Sequence, residues 1–584
     1  MNPEQITYFA ETDARNKKRK FGIKAPDRAK HVYIIGKTGM GKSTLIENML
    51  VQDIKNGEGL ALIDPHGASA EKILDYIPDE RIEDVLYFAP FDLEHPISFN
   101  VMEDVGYDKR HLVVSGLMSA FRKVWVDAWS ARMEYILTNT LLALLEYPDA
   151  TMLGVNKMYV DKVFRKKVVE NVKDPLVKAF WEGEFAMYTD RYTQEATPAI
   201  QNKIGQFTGN PLIRNIIGQP KSTFDFRKMI DERKIIIINL SKGRVGEVNA
   251  NLLGSMIITK IYLAAMSRAD VSEAEMNKLP NFYFYVDEFQ SFANESFADI
   301  LSESRKYKLN LTIAHQYIEQ MSDEVRAAVF GNVGTIVTFR VGAYDAEVLE
   351  KEFSPTFYAE DLVNLGFTQI YLKLMIDGVA SRPFSATTLP PIEPPPISNK
   401  DKVILSSRRK YSHPRAGVEA EISKLHVIEK PAPKKEEAYS GERHQQHQGG
   451  APHTTDHRKD NRPGSGERSR DQHRPQMEIS RHKEQLHQIA KGIKTKRHET
   501  ENHVRKDPSA LKNALAYALK SAPEASGDAK PKPREEEKST KESVSSSESK
   551  KESAEAGAVA DKNTKVGEVP ESVLRNMLDV KNDK

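Results

Sequence analysis

Residues 36–43 read GKTGMGKS, a spacing of glycines, lysine and serine that does one kind of chemistry well. Gly36, Gly39 and Gly41 let the backbone curl until successive N–H groups face phosphate oxygens, and a helix starting at Lys42 adds the positive end of its dipole. Lys42 is placed to reach the β- and γ-phosphates, and the Ser43 hydroxyl to hold Mg²⁺. Lys37, Thr38, Met40 and Thr44 complete the expected nucleotide-binding stretch. Far downstream, FYFYVDE ends an apolar run on Asp287 and Glu288. Asp287 is expected in the magnesium shell, and Glu288 is placed to polarise the water attacking a γ-phosphate. ATP and Mg²⁺ are the cofactors this pairing implies.

Three further residues extend the set. Gln316 closes the run LNLTIAHQ and could hydrogen-bond the attacking water or sense the γ-phosphate. Arg305, in SESRKYKLN, could neutralise transition-state charge in a neighbouring subunit, with Arg340 at the end of GTIVTFR as the competing residue; either role is expected to need an oligomer. Asp64 and His66 in IDPHG suggest metal ligands, but no second histidine or carboxylate stands at a helpful spacing, so this loop is expected to pack near the nucleotide instead.

These residues must be positioned by something. Val32 to Ile35 is a short continuous apolar run ending at Gly36, and Lys42 to Gln52 has helical spacing at Leu45, Met49 and Leu50, so the order is strand, loop, helix. Further strands are expected at Gly59–Ile63, Val85–Phe88, Ile235–Leu240, Phe282–Val286, Leu309–Ala314, Thr335–Phe339 and Ile370–Leu374, with helices at Asn251–Met266 and Ala343–Phe353. Continuous apolar strands alternating with helices predict an α/β fold whose mostly parallel sheet is covered on both faces, with ligands at the strands' carboxyl ends. Residues 105–230 break the alternation with helical patterns such as Arg132–Leu145, and are read as a helical insertion. The core is then 21–104 with 231–391, and residues 1–20 form a basic N-terminal arm.

The remainder differs in kind. The chain has 584 residues, and its 23 Phe and 3 Trp all precede residue 400; the last 184 residues hold 38 Lys+Arg against 30 Asp+Glu. From Pro390 onward there is too little apolar surface to offset chain entropy, which predicts a disordered tail over 392–584. Within it, Met477–Lys494, Ser509–Lys520 and Pro570–Val580 could turn helical on a partner. The absence of Cys excludes disulfides, thiolate zinc sites and cysteine nucleophiles, and favours a cytoplasmic chain. No run approaches the roughly 18–20 apolar residues of a spanning helix, so no transmembrane segment is expected.

Taken together, GKTGMGKSTL, LIDPHG, NLSKG, YVDEFQSFA, SESRKYKLNLTIAHQY and FGNVGTIVTFR resemble the type IV secretion coupling proteins, the TraG/TraD-like conjugative ATPases within the HerA/FtsK-like DNA-pumping group. The similarity covers roughly Phe21 to Pro391. The resemblance implies a RecA-like P-loop ATPase core, a hexameric homo-oligomer, and ATP-driven movement of DNA or nucleoprotein. It assigns the phosphate loop to Gly36–Ser43, the acids to Asp287 and Glu288, the sensor to Gln316 and the arginine finger to Arg305. Members that dock on a secretion channel usually begin with transmembrane helices, whereas this sequence begins with a basic arm. Membrane attachment would then come from a partner protein, and a cytosolic DNA-processing motor and an ATP-dependent recruitment platform are the alternatives. Lys17–Lys20 and Arg165, Lys166 and Lys167 are the expected DNA contacts, with the tail's Arg443–Arg497 as a phosphate-tracking or protein-docking stretch.

Overall fold

The runs VYII, GLALID, IIIIN and FYFYV are β-branched, aromatic and uninterrupted by charge, a pattern that suits strands buried on both faces. A computed structural model describes residues 4–13, 17–294 and 296–425, and there these runs form the centre of an eleven-stranded sheet. In chain order the strands are β1 (Ile6–Thr12), β2 (Lys20–Lys24), β3 (Val32–Ile35), β4 (Gly59–Asp64), β5 (Val85–Phe88), β6 (Ile235–Asn239), β7 (Phe282–Val286), β8 (Leu309–His315), β9 (Thr335–Thr338), β10 (Gln369–Lys373), β11 (Met375–Ile376), β12 (Val379–Ala380) and β13 (Phe384–Thr388). The sheet runs β2-β1-β13-β10-β9-β3-β8-β7-β4-β6-β5, and β11 with β12 makes a separate hairpin. From β9 to β5 every pairing is parallel, and the four strands beyond β9 are antiparallel.

Alternate residues of the parallel strands feed two cores. Ile34, Leu62, Ile237 and Tyr285 face the helix Lys42–Lys55, whose Leu45, Ile46, Met49 and Leu50 are buried against them. Ile35, Ile63, Ile238 and Phe284 face the opposite side, with the helix Glu247–Met266 and the residues between β5 and β6. Among the described residues that intervening stretch contains helices and no strand. Its helix starts are set by side-chain caps: Ser130, Asp161, Asp174, Thr189, Asn210 and Asp225 each accept backbone N–H groups.

Three sequence expectations need correction. The basic arm contains β1, which pairs with β2 and β13 and buries Thr7, Phe9 and Ala10. Its partner β13 is over 370 residues away, so no local pattern could announce the pairing. The stretch expected as tail opens with two helices, Lys400–Tyr411 and Arg415–Leu425. The first is tied down by buried Val403 and by polar contacts, since Ser407 accepts the Tyr87 N–H on the outer strand β5, Arg408 pairs with Asp92 at 2.7 Å, and Asn399 donates to the Ile77 carbonyl; the second packs Val418 and Ile422 against Leu153. Finally, Glu247–Asp270 is long and apolar enough to cross a membrane by length and composition; 61% of its most apolar window is buried in the fold. It passes that test because it packs between the sheet and the inserted helices, where both sides must be apolar. The tail's three expected helices, and Arg443–Arg497, lie outside the described residues.

Candidate nucleotide site and its acidic pair

The carboxyl ends of β3, β4, β7, β8 and β9 converge on the loop that follows β3. The Gly36 N–H donates to the His315 carbonyl at the end of β8, and the Lys37 N–H to the Arg340 carbonyl beyond β9 at 2.8 Å. Two glycines are required there. A Cβ on Gly36 would lie 2.5 Å from the Phe339 Cβ, and Gly41, capping the helix Lys42–Lys55, has φ +114° in a region that side-chain-bearing residues avoid. Lys42 is buried and its ammonium folds back onto the loop, donating to the carbonyls of Gly36 at 2.6 Å and Lys37 at 3.2 Å. Burial lowers its pKa, against the raising effect of Glu288 and Asp287.

Asp287 and Glu288 follow β7 and are 6% and 8% exposed. The Asp287 N–H donates to the Ile63 carbonyl, which fixes the acid beside the end of β4. Its carboxyl is pushed up to about 7, first by burial and then by Asp64 and Glu288, with Lys42 opposing. Asp64 has its own work: its oxygens accept the N–H groups of His66 and Ala70, fixing the IDPHG loop. Glu288 stands at φ +48° and is gripped on both oxygens, by the Gln316 amide on Oε1 and the Gln290 amide on Oε2. Gln316 also accepts from the Thr38 hydroxyl at 3.0 Å. The phosphate loop, the second acid and the end of β8 therefore form one hydrogen-bonded circuit. His66 comes within 3.8 Å of Glu288, which places it at the site's edge rather than in a metal shell; among the described residues no His, Cys, Asp and Glu cluster is arranged to hold a metal without other groups.

The residue set fits a magnesium nucleotide. Three carboxylates, Asp64, Asp287 and Glu288, sit near a single lysine, so a divalent cation would offset the burial and the neighbouring negative charge that together raise the Asp287 pKa. The loop's glycines and the start of the helix suit phosphate oxygens, and Ser43 lies in that helix's first turn.

The two arginines part company. Arg305 is exposed in a short turn before β8, at the amino end of a seven-residue strand whose carboxyl end carries Gln316, roughly 20 Å away at about 3.3 Å per residue. Arg340 lies beside the phosphate loop of its own chain, its guanidinium touching the Met40 sulfur at 3.3 Å. The Arg165 guanidinium donates to the Met158 carbonyl at 2.8 Å and lies over the Phe185 ring, while Lys166 and Lys167 are exposed. Lys17, Lys18, Arg19 and Lys20 are exposed, Lys18 pairing with Glu11. Sequence reading missed Gln290, legible only as a neighbour of the acids, and Lys123. The latter reaches the same loop from the insertion helix Arg110–Val124, over 160 residues away in sequence.

A parallel sheet with a glycine loop and helix after one strand and an acidic pair after another defines a P-loop NTPase of the RecA-like kind. The family model described as the type IV secretion-system coupling protein DNA-binding domain matches residues 21–354, and the chain belongs to that family. Comparison with curated proteins returns no match. Among solved structures, the unbound bacterial conjugative coupling protein TrwBdeltaN70 is 13% identical with a TM-score of 0.48, covering 68% of this chain and 96% of that one. Plasmid coupling protein TrwB in complex with ADP and Mg²⁺ is 13% identical with a TM-score of 0.49, covering 68% and 98%. VirB4 of Thermoanaerobacter pseudethanolicus is 13% identical with a TM-score of 0.43, covering 69% and 99%.

Proposed function

We propose that this protein is a Mg²⁺-dependent ATPase whose hydrolysis drives DNA, or a nucleoprotein, through a hexameric ring in conjugative or related transfer. The observation that carries the reading is the circuit Thr38–Gln316–Glu288, which joins the phosphate loop to a buried carboxylate at the end of a neighbouring strand. Lys42 would leave the Gly36 and Lys37 carbonyls for the β- and γ-phosphates. Ser43 and Asp287 would hold Mg²⁺, which neutralises phosphate charge when bound. Glu288, freed when Thr38 and Gln316 turn toward the nucleotide, would orient water and accept its proton. Arg340 would serve the nucleotide of its own chain and Arg305 that of a neighbour, while Lys17–Lys20 offer a basic patch to DNA phosphates.

The test is turnover of the full chain with Mg²⁺-ATP, with and without DNA. Stimulation of phosphate release by DNA, together with nucleotide-dependent displacement of a blocking protein from DNA, is expected. ATP-dependent assembly with no DNA effect would replace the motor with a recruitment platform.

A further inference from the structure

The insertion reaches the turn that follows the acidic pair through Lys123. Its first helix, Arg110–Val124, lies against the core helix Glu247–Met266 so closely that a Cβ on Gly116 would meet the Thr259 methyl at 2.4 Å. That contact fixes the helix's rotation and aims Lys123 at the turn following the acidic pair. There the ammonium donates to the Gln290 carbonyl at 2.6 Å and to the Ala293 carbonyl. Among the described residues Lys123 forms no ion pair with a carboxylate, and burial, with Lys242 nearby, lowers its pKa to about 8. Lys242 holds the same turn from the end of β6 by donating to Ser291 at 2.8 Å. Phe292, in that turn, fills the space over Gly254, where a Cβ would approach its ring to 2.3 Å. The turn between Glu288 and Ala293 is thus clamped from both sides, and the Gln290 amide it carries grips Glu288.

A half-buried ammonium satisfied by two carbonyls is a costly way to fasten a loop that apolar packing already holds. Its distinctive consequence is directional: moving the insertion helix moves the Gln290 backbone, and with it the amide that sets the carboxylate's position. Resting on the ATPase reading above, we propose that Lys123 is a positioning residue through which the seating of the insertion sets Glu288 for hydrolysis, acting by way of Gln290. A ligand that shifts the insertion would thereby change the rate of cleavage without touching the phosphate loop.

The experiment compares full-length wild type, Lys123→Met, Lys123→Arg, Gln290→Leu and the Lys123→Met/Gln290→Leu double variant, each checked for a cooperative melt. Steady-state kcat and KM for Mg²⁺-ATP and the Kd of a fluorescent ATP analogue are measured. Lys123→Met and Gln290→Leu are each expected to lower kcat about tenfold with KM and Kd within about twofold, since the phosphate loop is untouched. Lys123→Arg should recover kcat to within about threefold of wild type, and the double variant should be no slower than the worse single, because both act on one path. Single variants with wild-type kcat, losses confined to KM and Kd, or multiplicative losses in the double variant would each overturn the proposal. Should Lys123→Met fail to fold, Gln290→Leu with unchanged kcat overturns it and a kcat-only loss supports it. Absence of turnover in wild type refutes the ATPase reading itself, before any variant is compared.

Discussion

His31 stands at the turn into β3 with φ +62°, and its two ring nitrogens are committed to opposite roles. Nδ1 accepts the Leu311 N–H at 3.1 Å, which leaves Nε2–H to donate to the Leu301 carbonyl at 3.2 Å. A second ring proton would point at the Leu311 N–H. Burial is the main cause, and Arg305 adds to it, of a pKa lowered from 6.5 to about 4; the Leu301 bond opposes both. The folded state therefore binds this proton less readily than the unfolded chain. The stabilisation is complete above about pH 6.5 and is lost as pH falls toward 4, at about 1.4 kcal/mol per pH unit and about 3 kcal/mol in total. At pH 5 about 2 kcal/mol should be gone. Urea unfolding of full-length wild type and His31→Gln at pH 7.5 and pH 5 isolates this group, since other titrations cancel in the difference. Glutamine keeps one donor and one acceptor but cannot charge, so the wild-type advantage at pH 7.5 should shrink by about 2 kcal/mol at pH 5. A difference that does not change with pH would refute the reasoning.

Beneath the sheet, Arg28 pairs with both oxygens of Asp53, which also accepts the Tyr285 hydroxyl, so Asp53→Asn leaves a buried guanidinium unbalanced and should cost about 3–5 kcal/mol in chemical unfolding. A loss under about 1 kcal/mol would mean that Arg28 finds other compensation. Gly36→Ala drives a methyl into Phe339 and should weaken binding of an ATP analogue at least about tenfold in a fluorescence titration, the methyl displacing the loop N–H groups meant for phosphate. Undiminished affinity would show that the loop tolerates the shift. Ser407→Ala strips the Tyr87 N–H of its partner and should cost about 1–2 kcal/mol in melting or urea experiments, whereas a neutral result would mean that the helix Lys400–Tyr411 contributes little to covering β5.

The parallel half of the sheet was legible because each strand is buried on both faces and so announces itself as an unbroken apolar run. The phosphate loop was legible because its chemistry fits within eight consecutive residues, and Asp287 and Glu288 because they end such a run. The antiparallel half was harder. β1 and β13 are short, half-polar and paired across the whole length of the core, so their register is decided by tertiary contacts that no window of sequence contains. The helices from Lys400 onward were invisible to a composition argument because each buries only one or two apolar side chains, Val403 in the first and Val418 and Ile422 in the second, and the first is further fastened by serine, arginine and asparagine side chains. Lys123 could not have been found from spacing at all, since its place depends on how one inserted helix docks over Glu247–Met266.

The central claim is that the loop at Gly36–Ser43 and the acid Glu288 act on one triphosphate. Single-turnover ATP cleavage by the full chain, wild type against Glu288→Gln, addresses it directly. The variant should bind ATP and Mg²⁺ with affinity within about threefold of wild type yet cleave ATP at least about a hundredfold more slowly. Cleavage at the wild-type rate by Glu288→Gln would contradict the claim.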